Sequence, residues 1–124
     1  MEQDVVYFEL NNWFAGRDYP DAQPFLMWMN ECVPIKFLQQ GWVERNKLVV
    51  SVTYIDMSVN FCITAPREWV KENCPELLTK YSQFIVTPDE EGYVESRFAE
   101  EGARFFDYTK ENIGKVFFVG GDGE

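Results

Sequence analysis

In 124 residues the chain carries 21 acidic and 11 basic side chains, no histidine, and a formal net charge of -10. Phosphate affinity comes from clustered Lys and Arg, so this balance argues against direct nucleic-acid binding, and anionic lipid would repel such a surface as well. The missing histidine removes the commonest general base and the commonest metal ligand.

A chain of this length fits one domain, and roughly two-thirds of its unfolded surface can be buried. Hydrophobic residues make up 46% and aromatic residues 17% of it, with eleven Phe, six Tyr and four Trp. That is ample for a core and leaves rings over for an interface. The expected organisation is one globular domain over residues 1–119, with a flexible acidic tail at 120–124. Met1 to Asp4 is acidic and no apolar run follows, so no signal peptide is expected. No stretch approaches the ~18 apolar residues of a membrane span. Cys32, Cys62 and Cys74 are odd in number and irregularly spaced, which fits reduced thiols in a cytoplasmic protein better than a disulfide framework.

The charge is uneven along the chain. Residues 1–45 carry seven acids and three bases, residues 46–85 four of each, and residues 86–124 ten acids and four bases. Residues 4–10 (DVVYFEL) read as a strand, and Asn11 and Asn12 end it. Residues 21–30 suit a short helix with Asp21 as N-cap and Pro24 in its first turn. A second helix is expected from Pro34, with Gly41 just past its end in a left-handed ending that packs Trp42 back on Phe37. Residues 48–55 (LVVSVTYI) form the clearest strand, and residues 59–64 alternate Val59, Phe61 and Ile63 with Asn60, Cys62 and Thr64. The short connection between them predicts an antiparallel hairpin.

A helix is expected from about Pro66, with Val70, Cys74, Leu77, Leu78 and Tyr81 at helical spacing. Pro75 should break it, with Asn73 or Cys74 capping a second piece. Residues 84–86 are a short strand candidate. Residues 87–92 read either as a long acidic hairpin loop or as a helical turn, since Thr87 and Glu90 have capping-box spacing. Residues 109–113 suit one helical turn ended by Gly114, and residues 115–119 (KVFFV) a last strand. The sum is an α+β fold: an antiparallel sheet with a central hairpin (about 48–55 and 59–64), covered by helices on one face.

No catalytic motif stands out. Cys74 lies at a helix junction where amides can lower a thiol pKa, but it falls on the apolar stripe and lacks a histidine partner, so a buried apolar role is expected. Cys62 and Cys32 read the same way. Zinc would need His or paired Cys, and the acidic run at residues 89–91 lacks the ligand order of a calcium loop. Neither metal nor cofactor is expected. The glycines at 120, 121 and 123 follow a strand with no helix after them, unlike a phosphate loop.

Two regions are candidate binding surfaces. One is the acidic stretch Asp89, Glu90, Glu91, Glu95, Glu100 and Glu101, interleaved with aromatics. The other is the aromatic set Trp13, Phe14, Tyr19 and Trp28. Together they predict a non-enzymatic interaction module for a protein partner with a basic surface, steered by charge and anchored by rings. Self-association is compatible with the aromatic excess. The alternatives are a DNA-mimic inhibitor of a nucleic-acid-binding enzyme, a small carboxylate-dependent enzyme, and a small-molecule-binding domain lined by tryptophans.

Overall fold

The alternating segment that dominates the sequence forms the centre of the sheet. In the computed structural model, which describes residues 4–11, 34–55, 58–96 and 104–119, strands β2 (Val49–Ile55) and β3 (Ser58–Pro66) pair antiparallel. Val50 lies opposite Ile63 and Val52 opposite Phe61. Strand β1 (Val5–Asn11) runs antiparallel along the other side of β3, with Phe8 opposite Ile63 and Glu9 opposite Cys62. A short β4 (Val116–Phe118) lies beside β2, giving the order β1-β3-β2-β4.

β4 is parallel to β2, so the sheet is mixed and not the antiparallel one expected. A parallel neighbour requires a long crossover. Here the whole stretch between β2 and β4 supplies it, passing through β3, the helix Arg67–Asn73 and two 3-10 turns before returning. Proximity along the chain predicted the hairpin correctly but could not reveal the direction of a strand that arrives sixty residues later.

The register sorts side chains onto two faces. Val6, Phe8 and Leu10 of β1, Val50 and Val52 of β2, and Phe61 and Ile63 of β3 share one side and are almost fully buried. They belong to one core cluster with residues of three helices and the turns after them: α1 (Pro34–Phe37), α2 (Gln40–Asn46) and α3 (Arg67–Asn73). Phe37, Val43, Val70, Leu77 and Phe84 are wholly enclosed in it. The arrangement is α+β, and among the described residues no helix is long and apolar enough to cross a membrane.

The left-handed helix ending sits six residues later than expected. Gly41 lies in the first turn of α2, and Lys47 takes the left-handed conformation at φ 59°. The amide of Lys47 donates to Glu44 O and that of Leu48 to Val43 O, both at 3.2 Å, and Val43 and Leu48 are buried in the same cluster. This is a Schellman ending with lysine where glycine is usual. Packing of Leu48 against the helix outweighs the local preference. Trp42 does meet Phe37, edge to face at 5.6 Å, but from within the second helix.

Pro75 acts as the sequence indicates. α3 stops at Asn73, and a 3-10 turn follows at Pro75–Leu78. Of the two expected caps, Cys74 occupies the N-cap position of this turn without a side-chain hydrogen bond, and Asn73 donates back to Trp69 O. Residues 84–86 contribute a single bridge, Ile85 to Phe8, with the Val86 amide donating to Tyr7 O at 2.8 Å. Residues 109–113 form successive turns ended by Gly114 at φ 89°, where an added Cβ would lie 3.2 Å from Glu44 Cα. The expected helix at 21–30 and the tail at 120–124 lie outside the described residues.

Candidate functional site

The acidic stretch is built around one side chain. Asp89 Oδ1 accepts hydrogen bonds from the backbone amides of Glu91 and Tyr93, each at 2.9 Å. The Asp89 amide donates to Tyr93 O, and the Gly92 amide returns to Asp89 O, with Gly92 at φ 85°. The result is a tight side-chain-closed turn, neither the capping-box helix nor the ladder of a hairpin. Asp89 therefore holds the turn together, while Glu90 and Glu91 project to solvent and Tyr93 stands 58% exposed beside them. Val94, next in sequence, is buried and fixes the turn to the sheet.

Of the candidate binding residues, the structure brings Asp89, Glu90 and Glu91 together in this turn, and Glu95 follows in an exposed position, its backbone in an isolated antiparallel β-bridge with Arg104. Glu100, Glu101, Trp13, Phe14, Tyr19 and Trp28 lie outside the described residues. Two further apolar side chains are strongly exposed on other elements: Leu38 after α1 and Phe118 on the edge strand β4.

Sequence reasoning missed a second cluster altogether. The other face of the sheet carries Glu9, Ser51, Thr53, Asn60, Cys62 and Thr64, all essentially inaccessible to solvent. Asn60 Nδ2 donates to Glu9 Oε2 at 2.9 Å, the Cys62 thiol reaches the same oxygen at 3.7 Å, and Ser96 Oγ donates to it too. Ser51 Oγ donates to Arg104 O. The hydroxyls of Thr53 and Thr64 are buried with no hydrogen-bond partner among the described residues. The polar half of each strand's alternation was the available signal, but alternation alone normally indicates a solvated face. Burial here comes from segments far along the chain: Val86, Val94 and Phe105 lie against Cys62 and Tyr7, and the Tyr7 and Phe105 rings meet edge to face at 6.0 Å.

The chemistry of this cluster opposes nucleophilic catalysis. Burial first, and then the neighbouring Glu9 charge, push the Cys62 thiol well above its ordinary range. Burial, with Glu76 nearby, pushes Cys74 up to about 12. A reactive cysteine needs the reverse, a stabilised thiolate in electropositive surroundings. Tyr7 is also raised, by burial and then by Asp107, and Tyr108 by burial. No group of three or more Cys, Asp or Glu among the described residues is placed to hold a metal ion. An open groove of about 360 Å³ follows the outer edge of β1, between Tyr7 and Val5 on one side and Ile85, Thr87 and Pro88 on the other. Arg67 closes one end, held by Asp4 at 3.0 and 3.1 Å.

Comparison with protein-family profiles, with curated proteins and with solved structures returned no match.

Proposed function

We propose that this chain is a non-enzymatic interaction module whose acidic turn at residues 89–95 docks on a basic surface of a partner protein. One observation carries the reading: Glu90, Glu91 and Tyr93 stand exposed on a turn whose shape is fixed from within by Asp89. A preformed turn loses little conformational freedom on binding, and an exposed ring flanked by carboxylates offers both a charge to steer the encounter and an apolar anchor. The net charge of -10 works in the same direction at longer range. The two thiols held in their neutral form lend no support to a cysteine-based enzyme.

The test is affinity capture from host lysate at low and high salt, using the wild-type chain beside a Glu90→Gln, Glu91→Gln, Tyr93→Ala variant. The expected result is a protein retained by the wild type at low salt, released at high salt and not captured by the variant. Equal capture by both chains at every salt concentration would remove the turn from the binding surface.

A further inference from the structure

The two covering segments on the polar face, residues 86–96 and 104–108, are fastened differently from the strands and helices among the described residues. Their backbone attachments to the sheet are sparse, the chief one being the Val86 amide on Tyr7 O. Two further ties are side-chain hydrogen bonds, from Ser51 to Arg104 O and from Ser96 to Glu9. Their apolar anchors are Val86, Val94 and Phe105. A third side-chain hydrogen bond, from the Tyr108 hydroxyl, goes to Lys47 O at 2.7 Å, the Phe106 ring stacks on Phe117 of β4 at 4.1 Å, and a backbone β-bridge between Glu95 and Arg104 joins the two segments to each other. The pairing of β1, β3 and β2 and the core on the opposite face make no use of them.

We infer that these segments form a strap that lifts from the sheet as a unit, baring Cys62 and the polar face while the main core stays folded. The energetics favour opening on this side. Lifting the strap exposes few apolar side chains and hydrates polar groups that are costly to bury, among them Glu9 and Ser51, which the strap itself contacts. Opening the opposite face would expose Phe8, Phe37, Phe84 and their neighbours together, which amounts to global unfolding. Each face holds a cysteine, so each reports its own opening: Cys62 lies beneath the strap and Cys74 in the main core.

The experiment is pulsed alkylation of the wild-type protein with N-ethylmaleimide over a urea series, read at each cysteine by peptide mass spectrometry. Rates are divided by those of the same cysteines in the unfolded chain. The expected result is that Cys62 reacts at least about tenfold faster than Cys74 in low urea, with a distinctly shallower dependence on urea. Ser51→Ala, which removes one fastening, should speed Cys62 several-fold and leave Cys74 unchanged. If the two cysteines share one urea slope, or if Ser51→Ala accelerates both equally, the strap does not open on its own and the inference fails.

Discussion

The sheet buries its two faces by different means. On one face apolar side chains from β1, β2 and β3 interlock with Phe37, Val43, Val70 and Leu77, and dispersion and the hydrophobic effect hold the layers together. On the other face Glu9, Asn60, Cys62, Ser51 and two threonines lie under segments without regular structure. There the cohesion comes from directed hydrogen bonds onto a carboxylate, with a few apolar anchors around them. The first face supplies stability. The second contributes less, because each polar group brought out of water must recover its hydration through a partner.

The largest expected effect separates the faces directly. Phe8→Ala empties a fully buried site and should cost about 3–5 kcal/mol, whereas Val94→Ala, beneath the acidic turn, should cost about 1–2 kcal/mol. Urea denaturation of both variants measures the gap. Equal losses would show the two layers to be energetically alike and would dissolve the contrast.

A second effect appears at high pH. Below about pH 9 both the folded and the unfolded chain keep the Cys74 proton, so the full stability is present. Above that pH the unfolded thiol ionises while the folded one, pushed up to about 12, does not. Stability is therefore lost at about 1.4 kcal/mol per pH unit for that thiol as pH rises towards its folded value. Other groups titrate in the same range, so the informative quantity is the difference between wild type and Cys74→Ala. That difference should be constant at pH 7–8.5 and shrink steadily from pH 9 to 10.5. A difference independent of pH would mean that the core does not hold Cys74 neutral.

The same contrast explains what was legible from the residues alone. The alternation at 48–64, the break at Pro75 and the burial of Cys74 follow from local spacing, and the structure agrees with each. The parallel β4 and the Lys47 ending were not legible, because each depends on a partner distant in sequence or on a tertiary contact that overrides a local preference. The polar cluster was hidden for the same reason. Glu9, Asn60 and Thr53 follow the alternation of a solvated face, and Val86, Val94 and Phe105, which pack against Cys62 and Tyr7 on that face, come from far along the chain. Of the candidate binding surface, the acidity of residues 89–91 was plain, but the role of Asp89 as the fastening of its own turn needed geometry.

The smallest expected effect carries the opposite sign and bears on the polar face alone. Thr53 sits opposite Asn60 in the β2–β3 ladder, 1% exposed, and its hydroxyl has no hydrogen-bond partner among the described residues. Replacing a partnered buried hydroxyl by a methyl group of similar size normally destabilises a protein, because the partner is stranded. Here no group among the described residues loses a bond, the volume is nearly conserved, and a β-branched side chain is kept in a strand. Thr53→Val should therefore raise stability by about 0.5–1 kcal/mol, seen as a higher urea midpoint with an unchanged slope. Thr64→Val should do the same, since its hydroxyl is equally buried and unpartnered. Removing the hydroxyl at Ser51 with Ser51→Ala, where it ties down Arg104 O, should instead lower the midpoint. That reversal within one face would distinguish the hydroxyl that fastens the strap from those that make no hydrogen bond to the described residues. A loss at all three positions would mean that the threonine hydroxyls, too, hold the face closed.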